Sequence, residues 1–264
     1  MQIWINSLTF VWLFAGMSTA AVAHDADEYL RASQEFEHLV SQATPDTGMP
    51  RITNKKVLEL LSTLSDSKRF LDSATYQIKD MSLLAAVCTK ANAFLTMYLL
   101  FDISNGVDPR ADQKQVTLQV QTTMEQNFST FQDELERLQP FSLRCGAKQI
   151  ALVHEFVLSL KPEEFTDVRR GGLRKFRDGM FGMYHGVLQN INISTARKSY
   201  RTKLVQSMAE TAKQYSSILQ TTVRRQLFSL VKSIQASAPR EFQSCLEAIA
   251  NAMSDTRCDG ACRF

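Results

Sequence analysis

The stretch 81-MSLLAAVCTKANAFLTMYLLF-101 is the most apolar segment that follows the first 23 residues of the chain. It is long enough to cross a bilayer, which takes about 20 apolar residues. Lys90 and Asn92 stand near its middle, however, and a lysine at the centre of a span costs about 2.5–3.5 kcal/mol. A helix that is apolar on nearly all sides is also what the centre of a helical bundle needs. We therefore expect residues 81–101 to form a core helix, with a membrane span as the alternative.

Apolar residues recur at intervals of three and four on either side of this stretch, which is the spacing of one helical face. One stripe consists of Val57, Leu60, Leu61, Leu64 and Leu71, and another of Val116, Val120, Met124, Phe128, Phe131 and Leu135. No convincing run of alternating β-branched residues leads into a hairpin turn. The sequence predicts an all-α fold, an elongated bundle of about eight helices that begin near residues 25, 54, 76, 109, 140, 162, 195 and 239.

Four of these predicted helix starts coincide with prolines, namely Pro109, Pro140, Pro162 and Pro239. Proline fits the first turn of a helix because the N–H that it lacks would have no partner there. Asp108, directly before Pro109, is in addition a suitable N-cap. These prolines therefore mark the predicted boundaries between helices.

Residues 194–238 contain neither glycine nor proline, and their apolar and small residues keep the helical spacing. They predict one long helix near 195–237, which at 1.5 Å per residue would be roughly 60 Å long. The alternative is a break at Thr221–Thr222, because two consecutive β-branched residues lower helix propensity.

The beginning of the chain has the pattern of a secretory signal. An apolar run from Leu8 to Ala15 precedes the small residues Ala21-Val22-Ala23, which form an A-x-A cleavage pattern, although no Lys or Arg stands before Leu8. We expect residues 1–23 to be a signal peptide and residues 24–264 to be a single α-helical domain. The protein would then be secreted to the periplasm or the extracellular space.

Five cysteines follow the predicted signal, and an oxidising compartment favours disulfides among them. We expect Cys88 and Cys145 to join two helices, and Cys245 to pair with Cys258 or Cys262. The alternatives are that all five are reduced or that pairing is only local, since "CDGAC" at 258–262 suits a structural bridge in the tail. This C-x₃-C spacing does not fit haem attachment or thioredoxin-like chemistry, both of which need C-x-x-C.

The charge is small in total but unevenly distributed. Residues 24–140 hold 11 basic and 17 acidic residues, whereas residues 141–264 hold 19 basic and 10 acidic residues. Such an arrangement either pairs the two halves internally or presents a basic surface to an anionic partner.

Recognisable catalytic and metal-binding patterns are absent from the sequence. After His154 the second histidine of a zinc-protease helix would fall at Leu158, and Glu35-x-x-His38 lacks the second such pair that a di-iron site needs. No nucleophile elbow, phosphate-binding loop or dinucleotide-binding glycine pattern occurs. We therefore expect no enzyme activity, no bound metal and no cofactor.

The segment from Arg169 to Ile191 is unusual because it combines five of the ten glycines with five basic residues. Glycine inside a helix costs about 0.8–1 kcal/mol relative to alanine, so a close helix crossing or a partner should offset the cost. We predict a break at Gly171–Gly172, where free N–H groups at a new helix start would attract an anion. The predicted anion- or partner-binding residues, here named the basic corner, are Arg169, Arg170, Gly171, Gly172, Arg174, Lys175 and Arg177.

These observations favour an exported, non-catalytic binding protein that recognises a protein or an anionic ligand. A second basic group, here named the basic flank, would extend its contact surface: Arg197, Lys198, Arg201 and Lys203. A lipid-binding protein or one acting at membrane surfaces is the alternative, and a secreted enzyme without a readable motif is the third hypothesis. Nucleic acid is a poor candidate partner, because aromatic residues do not alternate with the basic ones as base stacking requires.

Overall fold

A computed structural model describes residues 20–72, 75–103, 112–193, 195–255, 258 and 261–263, with side chains from residue 25 onward. These residues form nine α-helices and no strand, which confirms the predicted all-α bundle. The helices are α1 (Ala20–Ser41), α2 (Lys55–Leu64), α3 (Met81–Leu99), α4 (Gln113–Thr130), α5 (Gln132–Ser159), α6 (Asp167–Asn190), α7 (Lys198–Ile218), α8 (Thr221–Ser237) and α9 (Gln243–Ser254). The predicted signal sequence lies mostly outside the described residues, as do Asp108 and Pro109.

Helix α5 is the centre of the bundle and packs against both α3 and α7. It is the longest of the described helices and buries a row of side chains along most of its length. Phe141 of this helix is fully buried and stacks on Tyr29 of α1, with ring centroids 5.6 Å apart. Helix α9 in turn packs against α7 and α8, so that α7 contacts both α5 and α9.

Helix α3 packs against α1, α4 and α5, but only 33% of its most apolar window is buried, so it is not enclosed on all sides as a central core helix would be. Its buried residues include Phe94 and Tyr98, and Tyr98 donates a hydrogen bond to the carbonyl of Pro50 at 2.6 Å. Lys90, whose charge would disfavour insertion of this helix into a membrane, forms an ion pair with Glu37 of α1 at 2.5 Å. By length and composition the segment Ile78–Leu99 would still suffice to cross a membrane.

The prediction of one long helix near 195–237 is wrong in detail, because the segment forms α7 and α8. Leu219 and Gln220 between them are extended, with ψ near 141° and 151°. Leu219 is fully buried there, so the break places an apolar side chain in the core that a continuous helix would direct elsewhere. Helix α8 begins at Thr221, in agreement with the alternative of a break at Thr221–Thr222.

The prediction that a helix starts at Pro140 is also wrong, because Pro140 lies inside α5. The helix begins earlier, after Phe131, whose φ of −104° and ψ of 25° separate it from α4. Asp133 and Glu134 occupy the first turn, where carboxylates complement the positive end of the helix dipole. These charges favour a helix start at Gln132, eight residues before the proline.

Two disulfides are present among the described residues. Cys88 of α3 and Cys145 of α5 are bonded, as predicted, with Cα atoms 5.5 Å apart. Cys258 pairs with Cys262 across 4 residues, and Cys245 is free, so the predicted bond from Cys245 to the tail is wrong. Cys245 sits in the first turn of α9, and the rigid helix separates it from the tail that follows. Two disulfides agree with an oxidising environment.

Three helices come close together at Gly146 of α5. A Cβ atom added there would lie 2.3 Å from the hydroxyl of Tyr215 on α7 and 2.6 Å from Cε of Met183 on α6. The Tyr215 hydroxyl is held in place because it donates to the carbonyl of Leu143 at 3.1 Å. Gly146 therefore lets three helices meet at one point.

Candidate functional site

Helix α6 carries the whole basic corner and runs without a break from Asp167 to Asn190. The Thr166 side chain caps its start by accepting from the backbone N–H of Arg169 at 3.3 Å. The prediction of a break at Gly171–Gly172 is therefore wrong. Because Thr166 caps the helix one turn earlier, the N–H groups of both glycines lie within the helix and are not free to hold an anion.

One side of α6 faces the bundle. Its buried residues include Leu173, Tyr184 and Leu188, and the Tyr184 hydroxyl donates to the carbonyl of Met208 on α7 at 2.9 Å. Apart from its contact with α7, the helix touches α5 only sparsely. Helix α6 is thus held mainly by one neighbour, which leaves much of its circumference open.

The glycines of α6 lie on the opposite, outward side. At 100° per residue, Gly171, Gly182 and Gly186 point away from the buried residues, together with Lys175 and with Val168, which is 81% exposed. A Cβ atom added at Gly171 or Gly186 would meet no atom within 4 Å. The predicted close helix crossing is therefore absent at these two glycines. No packing contact within the described residues offsets the helix propensity that glycine loses relative to alanine.

Replacing Gly171 with alanine should consequently stabilise the protein. We expect the free energy of unfolding to rise by about 0.5–1 kcal/mol, because alanine favours the helix and no neighbour has to move. Urea denaturation monitored by circular dichroism measures the change, and Gly186→Ala serves as a second case with the same expected sign. A loss of stability in both variants would contradict the outward placement of these glycines.

Three charged residues of the basic corner are engaged locally. Arg169 donates from Nη1 to the Glu164 carbonyl at 2.7 Å, and Arg170 donates from Nε to the Phe165 carbonyl at 2.9 Å. The Arg177 side chain is only 10% exposed and forms an ion pair with Asp178 at 3.2 Å. These contacts fix the turn before α6 and its inner edge, so these arginines have a structural role.

Arg174 and Lys175 differ from the other members of the basic corner. Both are exposed, and within the part of the chain that the structure describes neither side chain forms an ion pair or a hydrogen bond, whereas Arg170 is hydrogen-bonded. They are consecutive in α6, with Lys175 on its outward side and Arg174 at the side of the helix. The structure therefore narrows the basic corner to two cations that are available to a partner.

Two residues of the basic flank pair with acidic residues from the earlier half of the chain. Arg197 forms ion pairs with Asp133 at 2.5 Å and with Glu136 at 3.3 Å. Lys203 also reaches Glu136, at 2.7 Å, and the Glu136 side chain is only 12% exposed. Internal pairing between the two halves, which was the alternative to a binding surface, thus accounts for Arg197 and Lys203.

The other two residues of the basic flank are engaged as well. Lys198 lies 2.8 Å from Glu241, and its hydrogen bond holds the pKa of the Glu241 carboxyl below the ordinary value. Arg201 donates to the carbonyl of Ile191 at 2.6 Å and lies over the ring of Phe242, 5.2 Å from its centroid. The basic flank therefore holds α7 against its neighbours.

The described residues contain no group of three or more His, Cys, Asp or Glu side chains that could hold a metal ion. Glu35 of the Glu35-x-x-His38 pattern pairs with Lys56 at 2.6 Å. His38 lies 3.1 Å from the side chain of Gln42, the residue that follows the end of α1. The two residues thus make separate contacts with other polar side chains.

The described residues form at least two cavities. The larger, of about 550 Å³, lies between the loop before α2, the end of α3 and one face of α4. The smaller, of about 130 Å³, lies beside Arg224, a buried arginine whose pKa is lowered by desolvation. Neither is the deep apolar chamber that a lipid carrier would need.

Sequence reasoning missed the larger cavity, although a signal for it is present. Thr123, Gln126, Asn127 and Thr130 line it at spacings of three, four and seven, so that an uncharged polar face runs along α4. Sequence reasoning also placed the close glycine crossing on α6, whereas the structure has it at Gly146.

No protein-family model, curated protein or solved structure matches this chain.

Proposed function

We propose that this is an exported, non-catalytic binding protein that docks an acidic protein on the outward face of α6, around Arg174 and Lys175. The observation that carries the proposal is that these two adjacent, exposed cations have no ion pair within the described residues. The residues of the basic flank, by contrast, are held by carboxylates or by backbone and ring contacts. Unpaired positive charge at the surface attracts a partner of opposite sign.

The outward glycines support the same proposal. Gly171 and Gly186 have open space above them, so a partner can approach the helix backbone closely along this side. Helix interfaces use small residues for this purpose, and Gly182 and Gly186 have the small-x-x-x-small spacing that suits it. The partner contacts would offset the loss of helix propensity that the isolated chain leaves uncompensated.

Export is the second part of the proposal. The predicted signal at residues 1–23 supports it, and so do the disulfides Cys88–Cys145 and Cys258–Cys262, which suit an oxidising compartment. A partner of this protein would then be an extracellular or periplasmic protein rather than a cytosolic one.

Site-specific photo-cross-linking tests where the partner binds. A benzoylphenylalanine at Val168, which is 81% exposed beside Lys175, is compared with one at Leu118, which is 64% exposed on α4. In native culture medium or periplasm, we expect an adduct with an acidic protein at Val168 and none at Leu118. The double substitution Arg174→Glu and Lys175→Glu should reduce the adduct by about tenfold, equal to about 1.4 kcal/mol of binding free energy.

The matched control carries Arg31→Glu and Lys213→Glu, which make the same change in charge at exposed residues elsewhere. We expect this control to retain the adduct. Equal adducts at Val168 and Leu118, or an adduct that is insensitive to the Arg174 and Lys175 substitutions, would refute the proposed site. Sedimentation with phosphatidylglycerol vesicles that is lost in the α6 variant would favour the membrane-surface alternative instead.

A further inference from the structure

The cavity of about 550 Å³ beside α4 shares no residue with the proposed docking surface on α6. Its volume lies within the range of pockets that hold small molecules, roughly 300–1,000 Å³. The side chains that decide its chemistry are Arg51, Phe101, Thr123, Gln126, Asn127 and Thr130. Phe101 contributes a half-buried aromatic ring to the lining, and most of the other side chains are polar.

The α4 face of the cavity offers hydrogen bonds without charge. Asn127 donates from Nδ2 to the carbonyls of Leu99 at 3.1 Å and Phe101 at 2.7 Å, which fixes the orientation of its amide. Both of its donors are then committed, so the amide oxygen is the group left for a ligand. The side chains of Thr123 and Gln126 make no hydrogen bond within the described residues. Together these groups can both donate to and accept from a ligand.

Arg51 supplies fixed donors on the other side of the cavity. Its Nε donates to Glu134 Oε1 at 3.0 Å, its Nη2 donates to the Thr130 carbonyl at 2.9 Å, and its guanidinium lies 5.1 Å from the ring centroid of Phe131. A guanidinium has five N–H donors. These three contacts hold the guanidinium in place. Its remaining N–H donors have no partner among the described residues.

The charge of Arg51 is cancelled locally. Glu134 is fully buried, and its Oε1 also accepts from the backbone N–H of Ile52 at 2.9 Å. The carboxylate of Asp102 also belongs to the lining. An anionic ligand would therefore meet no net positive charge, whereas a neutral ligand with many hydroxyl groups could use the donors and acceptors on both walls.

From this lining we infer that the cavity binds a neutral, polyhydroxylated ligand, of the size of a monosaccharide or disaccharide unit. The Arg51 guanidinium donates to ligand hydroxyl oxygens, and the Asn127 amide oxygen accepts from a ligand hydroxyl. Thr123 and Gln126 complete the polar wall. The half-buried ring of Phe101 offers an apolar surface to the C–H groups of a sugar ring. Arg174 and Lys175 do not line the cavity, so this inference does not depend on the proposed docking of an acidic protein.

Saturation-transfer NMR with the full protein tests the inference. The probes are the methyl glycosides of glucose, galactose, mannose and N-acetylglucosamine, with inorganic phosphate as the anionic comparison in a phosphorus relaxation measurement. We expect at least one glycoside to receive saturation at millimolar concentration and phosphate not to bind. Thr123→Ala combined with Gln126→Ala should weaken that binding by about tenfold or more.

The control combines Gln121→Ala with Thr122→Ala, which removes the same side chains from exposed residues of α4 that do not line the cavity. This variant should bind as the unmodified protein does. Circular dichroism of both variants shows that they are folded before binding is compared. Absence of saturation for every glycoside, or equal loss in both variants, would overturn the inference, and phosphate binding that the Thr123 and Gln126 substitutions abolish would overturn the neutral character of the ligand.

Discussion

Replacement of both Cys88 and Cys145 with alanine is expected to lower the free energy of unfolding by about 4 kcal/mol. The bond joins α3 to α5 across 57 residues, and the chain-entropy model assigns a stabilisation of this size to a loop of that length. Both sulfurs are buried at the contact between two core helices. Removal of the bond therefore relaxes the unfolded chain and also leaves imperfect packing behind.

The tail disulfide provides the matched comparison. Cys258 and Cys262 are separated by 4 residues, so the same model gives their bond about 2 kcal/mol or less. Urea unfolding of the two double-alanine variants, monitored by circular dichroism, measures both losses. A loss from the Cys258 and Cys262 variant that equals or exceeds that of the Cys88 and Cys145 variant would contradict the assignment of α3 and α5 as the joined core of the bundle.

Gly146→Ala is expected to be the most damaging single methyl addition among the described glycines. The added carbon would lie 2.3 Å from the Tyr215 hydroxyl, which is fully buried and bonded to the Leu143 carbonyl. Overpacking of a rigid core costs about 1–3 kcal/mol, and the gain in helix propensity returns at most about 1 kcal/mol. We expect a net loss of about 1–2 kcal/mol, opposite in sign to the effect of Gly171→Ala.

A double-mutant cycle separates this clash from a general effect on α5. Tyr215→Phe removes the atom nearest to the new methyl group and leaves the flexible end of Met183 as the next contact, at 2.6 Å. Gly146→Ala should therefore cost less in the Tyr215→Phe background, since the two residues are coupled through contact. If Gly146→Ala instead stabilises the protein as Gly171→Ala does, α5 and α7 do not cross where the structure has them.

Local patterns in the sequence were sufficient for the architecture. The spacing of apolar residues predicts α2, and the long apolar run predicts α3; in the structure each helix buries one stripe of side chains. The bond between Cys88 and Cys145 was predictable as a link between helices, since both cysteines fall within apolar helical segments. The break at Thr221 was predictable as an alternative, because β-branched pairs disfavour a helix.

Features that depend on neighbours distant in the chain were not predictable. The spacing of glycines in α6 shows which of them share a face, but not that this face is turned away from the bundle. Arg174 and Arg197 look equivalent in the sequence, yet Asp133 and Glu136 fold against Arg197 alone. The Gly171–Gly172 pair suggested a break, whereas the Thr166 cap one turn earlier lets the helix continue through it.

The central claim is that Arg174 and Lys175 are free for a partner, whereas Arg197 and Lys203 hold the fold together. The most direct measurement compares the free energy of unfolding of two charge-reversed variants by urea denaturation. Arg174→Glu with Lys175→Glu should change it by less than about 0.5 kcal/mol, as exposed substitutions do. Arg197→Glu with Lys203→Glu should lower it by about 2 kcal/mol, because three ion pairs become like-charge contacts with Asp133 and Glu136. The opposite order, with the α6 variant destabilised more, would show that Arg174 and Lys175 belong to the scaffold and would contradict the account.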